Sequence, residues 1–121
     1  MTKNFKCGDY TLKGYYVKAG QGWEISYKIG NRTCFVSNFV NQVEATKWWA
    51  LSQKLVTGFC KSIVYPAIEV AFLSGLVGNY LNTEYYGFLK GVISKNFTVS
   101  QKIYKKDFAQ FKKVQRSIYA A

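Results

Sequence analysis

The chain contains 121 residues, of which 17 are lysine or arginine and 6 are aspartate or glutamate, so its formal net charge is +11. Hydrophobic residues make up 49% and aromatic residues 18%, which supplies a buried core and excludes disordered and collagen-like chains. The chain has no histidine, and this excludes Ser-His-Asp and Cys-His mechanisms, histidine general bases and most zinc and iron sites.

The positive charge is carried mainly by lysine, because only Arg32 and Arg116 are arginines. Lysine is a mobile point charge, whereas the planar fork of arginine reads guanine edges and clamps carboxylates. A surplus of lysine therefore favours a diffuse anionic surface, such as a phosphate backbone, over sequence-specific base readout. A basic protein with no anionic partner is the simpler alternative, since net charge alone is weak evidence.

The cysteines and the first residues indicate the compartment. Cys7, Cys34 and Cys60 form neither an even disulfide set nor a CxxC metal pair. Residues 1–6 contain no apolar stretch of the kind that a secretory signal requires. We therefore expect free thiols in a reducing, cytoplasmic environment, with no metal and no cofactor.

The first 40 residues predict a three-stranded antiparallel meander. From Trp23 to Ile29, apolar and polar residues alternate strictly, which is the period of a half-buried strand. Gly30 and Asn31 both tolerate positive φ, so they predict a two-residue hairpin turn. The predicted strands cover residues 10–18, 23–29 and 33–40.

The period becomes helical after Asn41, a typical N-cap residue that Glu44 follows three residues later. This predicts a helix over residues 42–62 that packs across one face of the meander. A second helix, over residues 67–81, is apolar on nearly every side. Residues 82–84 are expected to separate it from a third helix over residues 85–93.

The second predicted helix has consequences for assembly. Glu69, Gly75 and Gly78 within it argue against a membrane span, so we expect a buried helix instead. Since a chain of this size has difficulty burying such a helix alone, we expect a homo-oligomer. The fold prediction is a single α+β domain over residues 1–121, with a β-meander over residues 1–40 packed by a helix and a helical part over residues 41–121.

The last predicted helix, over residues 99–121, carries a stripe of cations opposite an apolar arc. Lys102 and Lys106 are spaced to repel each other, as are Lys112 and Arg116, and such repulsion favours an anionic partner over a solvated helix face. The members of this basic stripe are Lys102, Lys105, Lys106, Lys112, Lys113 and Arg116.

The sheet offers a second basic patch. If Trp23 and its alternating apolar neighbours face the first helix, the other face interleaves lysines with aromatic residues, as platforms for single-stranded nucleic acid do. The alternative is that the helices cover this face and that its aromatic residues are core. The predicted contacts are Lys13, Lys28 and Arg32 on phosphates, and Tyr15 and Phe35 stacked on bases.

No phosphate-binding glycine loop and no carboxylate pair is present in the sequence, so we expect neither catalytic residues nor an enzyme. The element order of residues 9–62 resembles that of arm-site DNA-binding domains and of half a Whirly or PUR-type repeat, with no residue carried over. We predict a nucleic-acid-binding protein that contacts mainly the phosphate backbone, with little sequence specificity. The alternative is a small interaction module that docks its basic helix on an acidic protein surface.

Overall fold

The computed structural model describes residues 1–63 and 69–93. In chain order these residues form β1 (Thr2–Cys7), β2 (Tyr10–Ala19), β3 (Gly22–Ile29), β4 (Arg32–Phe39), α1 (Gln42–Lys61) and α2 (Val70–Leu89). The predicted helix over residues 99–121 lies outside the described residues, together with the first residues of the predicted 67–81 helix.

The strands form one antiparallel sheet in the order β1-β2-β3-β4. The α+β class is therefore confirmed, but the meander has four strands where the sequence predicted three. The strand that was missed, β1, buries only Phe5 and Cys7, so its apolar alternation is short. Each hairpin turn contains two residues and begins with glycine at positive φ, as this tight turn requires: Gly8 at 61°, Gly20 at 61° and Gly30 at 58°.

A β-bulge interrupts the pairing of β3 with β4. Lys28 pairs with Thr33 whereas the preceding residue, Tyr27, pairs with Phe35, so Cys34 is an extra residue in β4. Beyond the bulge the register is shifted by one residue. Phe35 and Ser37 therefore point to the same side of the sheet as Tyr27 and are buried there.

Both helices pack on this one side of the sheet, where aromatic rings fill the space between the layers. Trp48 is completely buried, with its ring centroid 6.0 Å from that of Phe35 and 5.2 Å from that of Tyr85 on α2. Trp49 packs on the sheet at 6.1 Å from the ring of Tyr27. Burying such large rings is the main source of stability in a domain of this size.

Helix α1 begins as the sequence predicts. The side-chain oxygen of Asn41 accepts hydrogen bonds from the backbone N–H groups of Val43 at 2.8 Å and Glu44 at 3.3 Å. The helix runs from Gln42 to Lys61, within one residue of the predicted end.

Helix α2 corrects the prediction of a break at residues 82–84, because it is continuous from Val70 to Leu89. The hydroxyl of Thr83 donates to the carbonyl of Asn79 at 3.0 Å, and Glu84 is buried. Polar residues in these positions are compatible with a helix when its other faces are packed, so tertiary contacts override the local preference for a turn.

On α2, Leu73, Leu76, Val77 and Leu81 are buried within a single chain, whereas Tyr86 and Leu89 near its C-terminal end are 62% and 53% exposed. Its exposed positions include the small or polar residues Ala71, Gly75 and Asn79. The homo-oligomer stays a prediction. Within residues 1–63 and 69–93, no helix combines the length and the apolarity that crossing a membrane requires.

Two glycines of α2 predict opposite effects of the same substitution. A Cβ at Gly78 would collide with the carbonyl oxygen of Cys34 in β4, whereas a Cβ at Gly75 would have nothing within 4 Å. We expect Gly78→Ala to lower the free energy of unfolding by about 1–3 kcal/mol through overpacking. We expect Gly75→Ala to raise it by roughly 0.5–1 kcal/mol through helix propensity. Urea denaturation followed by tryptophan fluorescence measures both, and shifts of the same sign would contradict the packing of α2 on β4.

A buried hydroxyl pair predicts the response to alkaline pH. Ser52 donates to the carbonyl of Trp49 at 3.0 Å, so the hydroxyl of Tyr27, 2.6 Å from Ser52, is the donor in that contact. Burial raises the pKa of Tyr27 well above its ordinary value, and the hydrogen bond to Ser52 opposes this only partly. The neutral hydroxyl therefore stabilises the fold below about pH 10, and this stability is lost as the pH rises further and the unfolded chain ionises.

We expect Tyr27→Phe to lower the free energy of unfolding by about 1 kcal/mol at neutral pH. Above about pH 10 the variant should lose stability less steeply than the wild type, since it has no hydroxyl to ionise at this position. Urea titrations at a series of pH values from neutral to strongly alkaline check this. If the free energy of unfolding falls with pH equally steeply in both proteins, Tyr27 ionises as easily in the folded state as in the unfolded one.

Candidate functional site

One face of the sheet is left open by the described helices, because α1 and α2 both pack on the other face. We call it the open face. The strand register assigns to it Thr2, Asn4, Lys6, Thr11, Lys13, Tyr15, Val17, Glu24, Ser26, Lys28, Thr33, Val36 and Asn38. Most of these residues are exposed, and Ser26 near the centre is buried among its neighbours.

The open face carries a compact basic cluster around one aromatic ring. Lys13 and Lys28 are direct cross-strand partners on β2 and β3. Their Nζ atoms lie 5.9 and 5.5 Å, respectively, from the ring centroid of Tyr15, within the range of cation–π attraction. We call these three residues the Lys13–Tyr15–Lys28 cluster.

The electrostatics of the cluster favour an anion. Like charges directly opposite each other on neighbouring strands are destabilising, by an amount on the order of 0.2–1 kcal/mol. The carboxylate of the open face, Glu24, pairs with Val17 and Asn38 toward the other end of β3, so it is not placed between the two lysines. A phosphate between the two ammonium groups would remove their repulsion, and the Tyr15 ring offers a surface for a base.

The prediction that Phe35 stacks on bases is wrong. Phe35 is only 3% exposed, and its ring packs against Tyr85 at a centroid distance of 5.9 Å. A regular hairpin would pair Phe35 with Ser26 on the open face, but the bulge at Cys34 shifts the register and turns Phe35 inward. Ser37 is buried for the same reason.

The other predicted contacts are distributed as follows. Lys13, Tyr15 and Lys28 lie together on the open face. Arg32 pairs with Ile29 across the turn, so the register places it on the helix side of the sheet, where it is exposed at the end of β4. The basic stripe lies outside the described residues: Lys102, Lys105, Lys106, Lys112, Lys113 and Arg116.

The sequence analysis missed Lys6. This lysine pairs with Thr11 on β1, one diagonal step from Lys13, and extends the positive charge of the open face to a third strand. Its strand was not predicted, although Gly8 and Asp9 form a typical two-residue turn signal that would have revealed it.

Cys34 and Cys60 are poor nucleophiles in this fold. Contact with the thiol of Cys7 together with burial raises the pKa of Cys60, and burial raises that of Cys34, whose sulfur accepts a hydrogen bond from Ser74 at 3.1 Å. A raised pKa keeps the thiol protonated and unreactive. Within the described part of the chain, no cluster of three or more histidine, cysteine or acidic residues has the geometry of a metal site.

The fold and this face together define an α+β protein with a four-stranded antiparallel sheet that is covered on one side and basic on the other. No known family model matches the chain, and searches of curated proteins and of solved structures found no match.

Proposed function

We propose that the protein binds nucleic acid without catalysis, through contacts that are mainly to the phosphate backbone and have little sequence specificity. The observation that carries the proposal is the Lys13–Tyr15–Lys28 cluster on the open face. The formal net charge of +11 supports it, because a basic chain attracts a polyanion over long range.

The charged groups of the cluster determine the kind of contact. Lysine ammonium groups bind phosphate as point charges, and they lack the planar fork with which arginine reads guanine. Each lysine that neutralises a phosphate releases condensed counterions, so affinity should depend steeply on salt concentration and weakly on base sequence.

The Tyr15 ring favours a single strand as the ligand. A base stacks on an aromatic side chain only when its face is free, and in a duplex both faces of each base are covered by its neighbours. Tyr15 is half-buried and has an ammonium group of Lys13 and of Lys28 nearby, which positions phosphate and base contacts side by side.

The alternative predicted from the sequence, a module that docks a basic helix on an acidic protein surface, depends on residues 99–121. These residues lie outside the described part of the chain, so no structural observation favours that alternative.

Replacing the two paired lysines tests the phosphate contacts. We expect Lys13→Gln combined with Lys28→Gln to weaken binding of a labelled single-stranded oligonucleotide about equally for all base sequences. The slope of log affinity against log salt should flatten by about 0.7 for each lysine that contacts a phosphate. Fluorescence anisotropy from about 50 to 300 mM salt measures both quantities.

The matched control is Lys54→Gln, because Lys54 is an exposed lysine of α1 on the other layer of the molecule. It should leave the salt slope unchanged. If Lys54→Gln has the same effect per charge as the paired lysines, binding follows net charge alone and the open face is not the site. Unchanged affinity and slope in the double variant would lead to the same conclusion.

Replacing Tyr15 tests the stacking contact separately. We expect Tyr15→Leu to cost about 1–3 kcal/mol of affinity for a single-stranded oligonucleotide. The salt slope should stay the same, because no charge is removed. Tyr86→Leu is the control, since Tyr86 is 62% exposed but lies on α2.

An abasic oligonucleotide of the same length completes the test. It presents phosphates without bases, so Tyr15→Leu should bind it as the wild type does. An equal loss of affinity for the abasic and the normal strand would mean that Tyr15 supports the two lysines and does not stack on a base.

A further inference from the structure

The sheet has two edge strands, β1 and β4, and the described helices cover β4 more closely than β1. Helix α2 lies close against β4, with the backbone of Gly78 in contact with the carbonyl of Cys34. No described strand follows β1 on its outer side, and Thr2, Lys3 and Asn4 are exposed. An open edge strand is a template for the addition of another strand.

The backbone pattern of β1 identifies the peptide groups that face outward. Met1 and Tyr16 exchange two hydrogen bonds, at 2.8 Å from the Met1 amino group and 2.9 Å from the Tyr16 N–H group. Because bonded pairs alternate along an antiparallel ladder, Lys3 and Phe5 bond to β2 in the same way. The residues between them, Thr2, Asn4 and Lys6, therefore turn their N–H and C=O groups away from β2.

A basic groove runs beside this edge, between β1 and the last turn of α1. Its volume is about 310 Å³, and we call it the β1 groove. Its lining includes no carboxylate, and it consists of Lys3, Asn4, Phe5, Lys6, Thr57, Cys60 and Lys61. Phe5 forms an apolar floor that is 7% exposed, with the ammonium group of Lys3 5.9 Å from its ring centroid.

We propose that the edge of β1 docks an extended acidic peptide segment of a partner protein, which adds to the sheet as a fifth strand. The outward peptide groups of Thr2, Asn4 and Lys6 bind the main chain of the segment, as in other cases of strand addition. The three lysines of the β1 groove select acidic side chains by charge complementarity. This inference goes beyond nucleic-acid binding, because a sugar–phosphate chain has no ladder of N–H and C=O groups to pair with β1.

The register of the sheet specifies the peptide further. On the groove side, an added antiparallel strand places one side chain opposite Phe5 and another opposite Lys3; on the open face it places one opposite Lys6. Read from the N-terminal to the C-terminal end of the partner segment, the four positions face Lys6, Phe5, Asn4 and Lys3. The favoured pattern is therefore an acidic residue, an apolar residue, any residue and a second acidic residue.

A second copy of the chain is a poorer occupant. Pairing β1 with β1 would bring two lysine-lined grooves together in two molecules that each carry a formal charge of +11. Lysines on an edge strand are a recognised way of preventing such self-association.

The test uses the full chain and a labelled synthetic peptide with the pattern glutamate, valine, threonine, glutamate, flanked by glycine and serine. Anisotropy should detect binding of this peptide, and no binding of an analogue with lysine in place of glutamate. Asn4→Pro should weaken binding at least about tenfold, because proline removes an outward N–H group and blocks close approach. Asn4→Ala keeps the N–H group and should bind within about twofold of the wild type.

Three measurements distinguish loss of the binding site from loss of the fold. The N–H of Asn4 is not used in the pairing with β2, so Asn4→Pro should keep the wild-type circular dichroism spectrum. Lys3→Glu leaves the backbone intact and should weaken binding of the acidic peptide, because it places a carboxylate opposite one of the two glutamates while Lys6 and Lys61 remain. Saturation with the acidic peptide should slow amide exchange at Thr2, Asn4 and Lys6 in the wild type.

Each of the opposite results overturns the proposal. The first is no binding of the acidic peptide by the wild type, and the second is equal binding by folded Asn4→Pro. The third is slowed exchange confined to α1. The last is a wild-type dimer in sedimentation velocity that the Asn4→Pro variant does not form. Such a dimer would mean that the edge of β1 pairs with a second copy of this chain.

Discussion

The extra residue at Cys34 in the pairing of β3 with β4 determines how the two sides of the sheet differ. By shifting the register one step, the bulge turns Phe35, Ser37 and Phe39 toward the helices and leaves Val36 and Asn38 on the open face. The same inward turn brings Cys34 to within 3.1 Å of the Ser74 hydroxyl on α2. The register of β3 with β4 therefore also determines where α2 contacts the sheet.

The aromatic layer depends on that arrangement. Phe35 and Phe39 contact Tyr85 of α2 at ring-centroid distances of 5.9 and 5.7 Å. The ring of Trp48 on α1 contacts both Tyr85 of α2 and Phe35 of the sheet. Because these large side chains gather on one side, the other side presents only a few apolar residues, Tyr15, Val17 and Val36, and the described helices do not cover them. The open face is thus free for lysines, and two of them are tolerated as direct cross-strand partners at some cost in stability.

The two proposed surfaces use different properties of one sheet. The open face presents side chains, so it suits a ligand recognised by charge and by stacking on Tyr15. The edge of β1 presents backbone groups beside a basic groove, so it suits a peptide main chain with acidic side chains. Both surfaces are positively charged, which is what a chain with 17 basic and 6 acidic residues leads one to expect.

The sequence by itself determined the features that depend on neighbouring residues: the α+β class, the turn at Gly30, the cap at Asn41 and the helix that follows it. It also predicted that Lys13, Tyr15 and Lys28 share a face, because alternation in a regular strand is a local property. Only the tertiary structure decided the orientation of Phe35 and the continuity of α2 through residues 82–84. Both depend on packing between distant segments. Packing fixes the one-residue shift in the pairing of β3 with β4, and it keeps the polar residues 82–84 helical, and neither effect is encoded in the local sequence pattern.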